Sequence, residues 1–155
     1  MWRSLLPKLP FLCSMEDEVT GFVRVVLPLL KPVTFAVGDL IVTPLVGTRD
    51  MGFIVSGEVE VRLATRKREY TTTMLGERHH FGEIFMLLPE HVPFRGLARV
   101  RATTRVRLMQ LTRGAFTTLE VRHPHVASFM AQQLYEPSVS SLWAVVSDDF
   151  KCEVN

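Results

Sequence analysis

The stretch with the most suggestive chemistry is FGEIFMLLPEHVPFRGLARVRA, residues 81–102. It opens with Gly82 beside the carboxylate of Glu83, and an apolar segment follows them. Glycine allows a close approach to the backbone because it has no Cβ, and a carboxylate accepts strong hydrogen bonds. The second part of the stretch carries arginines and no acidic residue after Glu90. These residue types raise the hypothesis of a phosphate-binding site.

The charge of the chain is distributed unevenly, although the net charge is only +2. No carboxylate occurs between Glu90 and Glu120. The same segment contains the arginines Arg95, Arg99, Arg101, Arg105, Arg107 and Arg113. A local basic field of this kind favours an anionic partner. The alternative, arginines that lie on a solvated strand face, is equally compatible with the pattern.

The composition is that of one globular domain. The chain has 155 residues, of which 47% are apolar and 22% charged, enough for a single hydrophobic core.

Cys13 and Cys152 lack metal-ligand spacing and indicate a reducing, cytoplasmic setting, with a disulfide as the alternative. No apolar run reaches the ~18 to 20 residues of a membrane span. Prolines and a lysine interrupt the amino terminus, so we expect neither membrane insertion nor a signal peptide.

Short β-branched segments with turn residues between them dominate the sequence from Val33 to Leu111. VTFAVGDLIV predicts two strands around a Gly–Asp turn, and MGFIVSGEVEVRL predicts two more around Gly57. LARVRATTRVRLMQL alternates apolar residues with arginines, as half-buried strands do. About eight strands at this spacing predict a mainly β, α+β fold. We expect an eight-stranded antiparallel β-roll, similar to a jelly roll, flanked by helices at both ends.

A helix is predicted before the strands. Ser14 and Asp17 resemble a capping box, and an apolar stripe at helical spacing follows them. Its members are Val19, Phe22, Val23, Val26, Leu27 and Leu30. Pro28 should end or kink this helix, because it has no N–H to donate.

Two further helices are predicted after the strands. Thr112 can cap a short helix, and Pro124 is suited to the first position of a longer one. Pro137 interrupts the second helix. For the tail beyond it, two arrangements are open: it packs over or occupies the candidate site, or Trp143 covers the outer face of the roll.

The order helix, β-roll, short helix and longer helix, with FGE late in the roll, resembles the cyclic-nucleotide-binding domain. The matching motifs are FAVGDLIV, DMGFIVSGEVEV, LGERHHFGEIFML and ARVRATTRVRLMQLTRGAFTTL, within about residues 5–135. The opening segment SLLPKLPFLCSMEDE is similar to that of the hyperpolarisation-activated and cyclic-nucleotide-gated ion channels. The resemblance implies an amino-terminal helical segment (1–30), a roll (31–111) with a cassette (81–102), lid helices (112–136) and a tail (137–155).

The resemblance implies a site for cAMP or cGMP and no other cofactor. In this site Gly82 lets the backbone approach the ribose, and Glu83 accepts a hydrogen bond from the ribose 2′-hydroxyl. A short helix begun by IFMLL would direct its N–H groups at the phosphate. The implied ligand-binding residues are Phe81, Gly82, Glu83, Ile84, Phe85, Arg95, Leu97, Ala98 and Arg99. Phe81 and Ile84 would also be core residues in any β-roll.

The second half of the cassette departs from the family pattern. That pattern has an arginine followed by threonine or serine, where this chain has Gly96 and Leu97. A hydrogen bond to a charged group contributes roughly 1.5–3 kcal/mol, so losing both contacts would weaken binding by about two to four orders of magnitude. Arg95, in an irregular loop, is the candidate replacement. Arg99 is the weaker candidate, because strand alternation places it opposite the apolar face.

Two functions follow from the resemblance. The first is a cytoplasmic regulatory domain of a membrane channel that senses cAMP or cGMP with weakened affinity and couples binding to gating through the lid helix. Its partners would be the linker and pore of a homotetrameric channel. The second is a degenerate domain that couples or supports other parts without a nucleotide, with its own tail in the pocket. A regulatory subunit of a soluble enzyme is a third, weaker alternative.

Other classes of function are not expected. No nucleophile–base pair or acid pair stands at catalytic spacing, so we expect no enzyme. Too few residues follow Leu134 for the helix-turn-helix that would bind DNA. His79 and His80 should point to opposite faces of a strand, so we expect no metal site there.

Overall fold

The computed structural model describes residues 6–42, 50–64, 70–82 and 98–135. Within these ranges the chain forms an antiparallel β-roll with helices on its amino-terminal and carboxyl-terminal sides. The fold class predicted from the strand spacing is therefore confirmed. In the same ranges, no helix is both long enough and apolar enough to cross a membrane.

Eight strands in the described ranges form two four-stranded sheets. They are β1 (Lys31–Phe35), β2 (Leu40–Val42), β3 (Met51–Ser56), β4 (Val59–Ala64), β5 (Tyr70–Leu75), β6 (His80–Phe81), β7 (Ala98–Ala102) and β8 (Val106–Leu111). The first sheet has the order β1-β8-β3-β6, and the second has the order β2-β7-β4-β5. The chain thus passes repeatedly from one sheet to the other, as in a jelly roll.

The second sheet has an apolar inner face and a charged outer face. In β7, Val100 and Ala102 are buried, whereas Arg99 and Arg101 are exposed. Val61 of β4 pairs with Val100 and is buried with it. Because successive side chains of a strand point to opposite faces, the alternating pattern of apolar residues and arginines fixes which face turns inward.

The amino-terminal region contains two α-helices where the apolar stripe predicted one continuous helix. These helices are α1 (Pro10–Glu18) and α2 (Phe22–Val26). Ser14 lies inside α1, so the predicted capping box is wrong. The helix begins earlier because Pro10 occupies its first turn, where a missing N–H costs nothing.

The break between α1 and α2 has a local cause. Gly21 adopts a left-handed backbone with a φ of 89°, which interrupts the helical path. The side chain of Glu16 accepts hydrogen bonds from the N–H groups of Gly21 (3.0 Å) and Val23 (2.8 Å). These bonds lower the pKa of Glu16 below its ordinary value of 4.5, the bond from Val23 most strongly. As predicted, the α-helix does not continue through Pro28: α2 ends at Val26, and Pro28 lies in a short 3-10 helix (Leu27–Leu29).

The carboxyl-terminal helices begin where the sequence predicts. α3 (Arg113–Arg122) is capped by Thr112, whose Oγ1 accepts a hydrogen bond from the Ala115 N–H at 3.0 Å. α4 (Pro124–Tyr135) has Pro124 as its first residue. Both predicted starts are confirmed, and each follows from the chemistry of a helix end.

The helices pack together on the outside of the first sheet. A single hydrophobic cluster joins α1, α2, α3 and α4 to β3 and β8. Its buried members include Phe11, Leu12, Phe22, Met51, Phe53, Leu111, Phe116 and Met130. β3 is buried from Met51 to Val55, because the helices cover one of its faces and the roll interior covers the other. A displacement at β3 would therefore reach both helical groups.

Candidate ligand-binding site

The candidate cassette connects a strand of the first sheet to a strand of the second. β6 ends at Phe81 in the first sheet, and β7 begins at Ala98 in the second. Of the predicted site residues, Phe81, Gly82, Ala98 and Arg99 belong to the described residues. The other five, Glu83, Ile84, Phe85, Arg95 and Leu97, lie outside them. Their predicted roles stay predictions.

Phe81 is a core residue at the end of β6. It is 2% exposed and pairs with Gly52 of β3. Its ring occupies the space that a side chain at Gly52 would fill, since a Cβ there would lie 3.0 Å from the Phe81 Cζ. The ring therefore fixes β6 against β3 and places the next residue, Gly82, beside the start of β3. The sequence had left a core position open for Phe81 as the alternative to a ligand contact.

Gly82 occupies a position that only glycine fits without strain. Its φ of 87° lies in the left-handed region. A Cβ at this position would overlap the carbonyl oxygen of Asp50 and lie 3.3 Å from the Cα of Met51. The sequence predicted that glycine serves close approach to a ribose. The structure shows a further reason for a glycine at this position: the backbone of Asp50 and Met51 lies against it.

Asp50 connects this position to the carboxyl-terminal helices. Its carboxylate accepts hydrogen bonds from the backbone N–H of Arg113 (3.1 Å) and from Nε2 of Gln110 (3.2 Å). Arg113 is the first residue of α3, where a negative charge is favourable because the first N–H groups of a helix have no intrahelical partner. The backbone of Asp50 contacts Gly82 while its side chain holds α3.

His80 connects the same position to the amino-terminal helices. Its ring lies 5.5 Å from that of Phe11 in α1 and 5.9 Å from that of Phe53 in β3, edge to face in both cases. The rings of Phe11 and Phe53 are stacked at 6.1 Å. Aromatic pairs at such distances are attractive. α1 therefore packs directly on the strand that leads into Gly82.

His79 does not join His80 in a common site. It precedes β6, and its Nδ1 accepts a hydrogen bond from the Gly76 N–H at 3.0 Å. Across the part of the chain that the structure describes, no three side chains of the types that bind metals are grouped together.

Arg99 lies on the outer face of the second sheet. It pairs with Arg62 of β4 and is exposed, whereas its neighbour Val100 faces inward. A ligand in the interior of the roll would therefore not meet Arg99, and we assign it no contact there. Ala98 begins β7 and pairs with Leu63. Among the arginines of the cassette, Arg95 remains the candidate for a phosphate contact.

Sequence reasoning missed Asp50, Phe11 and Gly52. Asp50 bonds to residues 60 and 63 positions away in the sequence, so no local pattern could identify its partners. Phe11 falls before the helix start that was predicted. A signal for Gly52 existed, since a glycine inside an apolar strand indicates a close approach by another group.

Comparison with known proteins decides the family. The model of the family described as cyclic nucleotide-binding domain matches residues 32–123. The match runs from β1 into the residue that follows α3 and covers more than half of the chain. The chain belongs to the cyclic nucleotide-binding domain family. A comparison with curated proteins found no match.

Three solved structures illustrate the range of proteins that share this fold. The regulatory subunit of a cAMP-independent protein kinase A from Trypanosoma brucei has 19% identity and a TM-score of 0.64, over 93% of this chain and 50% of that one. The Thermus thermophilus Catabolite Activator Protein has 20% identity and a TM-score of 0.60, over 88% and 59%. The N-terminal domain of a transcriptional regulator from Streptomyces coelicolor has 18% identity and a TM-score of 0.59, over 77% and 83%.

At these identities the similarity shows the fold alone. The match with this chain spans only 50% and 59% of the first two proteins. These relatives are described as a kinase regulatory subunit, a catabolite activator protein and a transcriptional regulator. The comparisons thus show the family and not the channel branch that the opening segment predicted.

Proposed function

We propose that this domain is a regulatory module that binds a cyclic nucleotide in the cassette. The observation that carries the proposal is the family match, which includes the whole segment from Phe81 to Ala102. Glu83 would accept a hydrogen bond from the ribose 2′-hydroxyl. Backbone N–H groups after Glu83 and the guanidinium of Arg95 would bind the phosphate. Proteins of this family are regulatory, so no catalytic step is involved.

The affinity should be weaker than the family pattern would give. Gly96 and Leu97 replace the arginine and the hydroxyl residue of that pattern. Each lost contact to the charged phosphate removes about one to two orders of magnitude in affinity. Arg95 restores part of this, if the backbone before Gly96 brings its side chain to the phosphate. The expected affinity is therefore lower than that of the family pattern by up to about two to four orders of magnitude.

The contacts around Gly82 supply a route from the ligand to both helical groups. A nucleotide that draws the cassette toward itself would shift the backbone of Gly82, which contacts Asp50. Asp50 holds the first residue of α3. On the other side, His80 contacts Phe11 of α1. A ligand shifts a conformational equilibrium only if it binds one conformation more tightly than the other. In this domain the two conformations would differ in the contacts of Gly82 with Asp50 and of His80 with Phe11.

The channel setting belongs to this proposal. The segment SLLPKLPFLCSMEDE supports it by its resemblance to the channels, and α1 within that segment packs on His80, the residue before the cassette. The domain would lie on the cytoplasmic side of a membrane, as part of a homotetramer whose linker and pore it regulates. A regulatory subunit of a soluble enzyme is the alternative, and the kinase subunit among the structural relatives is consistent with it.

A second candidate function is a module that works without any nucleotide. The replacement of the arginine and hydroxyl positions by Gly96 and Leu97 favours it. The Trypanosoma brucei protein, which shares this fold, is described as cAMP-independent. In this case the buried contacts around Gly82 would serve stability and coupling alone.

A titration of cAMP and of cGMP into the full chain tests the proposal. We expect saturable heat by calorimetry and saturable shifts of the Gly82 amide resonance by NMR. Glu83→Ala should weaken binding by at least about tenfold, because it removes a charge-assisted hydrogen bond. Glu120→Ala, at an exposed site on α3, is the matched control and should bind like the unaltered chain.

The absence of saturable shifts at millimolar cAMP and cGMP would overturn nucleotide binding and leave the second candidate. Binding that Glu83→Ala and Glu120→Ala change equally would overturn the role of Glu83. A chain that ends at Glu136 tests the predicted role of the tail, since stronger binding in its absence would show that residues 137–155 compete for the pocket.

A further inference from the structure

The outer face of the second sheet carries a cluster of arginines that packing does not explain. Arg99 and Arg101 of β7 are exposed there, next to Arg62 of β4, which is also exposed. Glu60 of β4 is the one carboxylate that lines the same cavity within the described residues. We call these four residues the arginine face.

The strand register brings like charges together on the arginine face. Arg62 and Arg99 are direct partners in the pairing of β4 with β7. Side chains that face each other in this way have Cβ atoms about 5 Å apart, and like charges at that distance repel. Glu60 is the register partner of Arg101 and lies 4.0 Å from Arg62, measured from Oε1 to Nε. Among the described residues that line the cavity there is thus one carboxylate for three guanidinium groups.

The described register partners of the arginine face on the two neighbouring strands carry no charge. The register partners of the arginine face on β5 are Thr72 and Met74, and the partner of Arg101 on β2 is Leu40. All three side chains are uncharged, and all three are exposed. Counted over its own four residues, the arginine face has an excess of two positive charges on an accessible surface.

The arginine face also has the shape of a binding site. Its four residues line an open cavity of about 230 Å³. This is several times the ~30 Å³ that a water molecule occupies in the liquid, enough for a tetrahedral oxyanion and part of the molecule that bears it. Arginine presents its donors in a planar fork that matches the oxygens of a phosphate.

We propose that the arginine face is a second anion site, outside the nucleotide pocket, that binds a phosphate monoester through Arg99 and Arg101. A monoester carries about −1.5 to −2 charges at pH 7, which matches the excess of two positive charges. Glu60 and Arg62 hold each other at one side of the cavity and set its edge. The bound phosphate relieves the repulsion between the arginines.

This site differs from the nucleotide pocket in position and in ligand charge. Val100 and Ala102, on the same strand, face the interior of the roll, so Arg99 and Arg101 face away from it. A cyclic nucleotide has a phosphodiester with a single negative charge, whereas the arginine face is suited to a dianion. The inference stands whether or not the cassette binds a nucleotide.

Titration of inorganic phosphate into the full chain, at constant ionic strength, is the direct test. We expect saturable shifts of the Nε–H resonances of Arg99 and Arg101 in NMR spectra. Arg99→Gln combined with Arg101→Gln should weaken phosphate binding, followed at the amides of β4 and β7, by at least about tenfold. The control combines Arg105→Gln with Arg107→Gln, which removes the same charge at two exposed positions in and before β8.

The outcomes separate the possibilities. Saturable shifts that the first variant loses and the control retains support the proposal. Equal weakening in both variants would show a diffuse charge effect and overturn it, as would shifts no larger than those with sodium chloride. Amide spectra of each variant verify that the roll remains folded.

A second arm identifies the source of the phosphate. The chain is mixed with phosphatidylcholine vesicles with and without phosphatidic acid, a lipid whose headgroup is a phosphate monoester. Co-sedimentation that depends on phosphatidic acid and on Arg99 and Arg101 would assign the site to a lipid headgroup. Phosphate binding without co-sedimentation would assign it to a soluble phosphate ester. Co-sedimentation that the arginine substitutions do not reduce would overturn the proposal.

Discussion

The two ends of the cassette differ in what holds their residues in place. At the first end, Phe81 and Gly82 are buried, and their contacts lie within the chain itself: the ring packs on Gly52, and the glycine backbone lies against Asp50. At the second end, the arginines of β7 are exposed on the outer face of the sheet. Packing within the chain therefore holds the residues of the first end, whereas the second end presents exposed charged side chains.

This difference shows how to interpret a motif shared with a family. The glycine of FGE is required by the fold whether or not a ribose is bound, so its presence alone does not show binding. The arginines of LARVRA are not required by the fold, yet the strand register turns Arg99 away from the roll interior. The arginine predicted to contact a phosphate is therefore Arg95, the one arginine of residues 83–97.

The largest expected effect is at the first end. Gly82→Ala should lower the free energy of unfolding by about 2–4 kcal/mol, because it combines a left-handed residue with an overlap against the Asp50 carbonyl. Chemical denaturation measures the change. Gly76→Ala is the control, since a Cβ there would meet only the Gly57 oxygen at 3.8 Å. Equal effects of the two substitutions would contradict the packing account of Gly82.

The inner and outer positions of β7 provide the next comparison. Val100→Ala should cost about 1.5–3 kcal/mol of unfolding free energy, because it removes a buried side chain that is 1% exposed. Arg99→Gln should change the same quantity by no more than about 0.5 kcal/mol, as exposed substitutions do. Denaturant melts of both variants measure the contrast. A large loss in Arg99→Gln would show that the arginine face stabilises the roll.

A smaller loss of stability is expected at Asp50, whose carboxylate accepts a hydrogen bond from the first residue of α3. Asp50→Asn keeps the shape of the side chain and removes its charge, so it should cost about 1 kcal/mol of unfolding free energy. In NMR spectra the substitution should change the amide chemical shifts from Gly82 into α3. Asp39→Asn, whose Oδ2 accepts a bond from the exposed Ala36 N–H at 2.8 Å, is the control. Shifts confined to the neighbourhood of Asp50 would contradict the connection to α3.

The smallest effect concerns the two amino-terminal helices. The pKa of Glu16 is lowered in the folded chain, so its charged form stabilises the fold above the unfolded value of 4.5, and this contribution is lost as the pH falls through the folded pKa. Glu16→Gln should therefore lower the melting temperature at pH 7 and match the unaltered chain at strongly acidic pH. Glu18→Gln, at an exposed position of α1, is the control. A difference that persists at low pH would contradict the role of the Glu16 charge.

The sequence predicted most elements whose cause is local. The alternation of β7, the cap at Thr112 and the start of α4 at Pro124 each depend on residues within a few positions, and all three are confirmed. The helix predicted from Ser14 was wrong because an apolar stripe at helical spacing continues through Gly21, where the backbone turns left-handed. Helical periodicity does not reveal such a break.

The candidate site was less accessible to prediction. Gly82 was identified from its motif, but its physical reason involves Asp50, a residue of another segment brought close by the pairing of β3 with β6. The charge of β7 was identified as well, with both a ligand and a solvated face left open. The alternation of β7 was enough to place Arg99 on the outer face. It did not identify Arg62 as the partner of Arg99, because pairing between distant strands cannot be deduced from one strand's own sequence.

The proposed function has the nucleotide phosphate bound from within residues 83–97, by Arg95, and not from β7. The affinity for cAMP of Arg95→Ala, measured by calorimetry beside that of Arg99→Ala, tests it most directly. The account predicts binding at least about tenfold weaker in Arg95→Ala and an affinity in Arg99→Ala within about twofold of the unaltered chain. The reverse order, or equal losses in both variants, would contradict it.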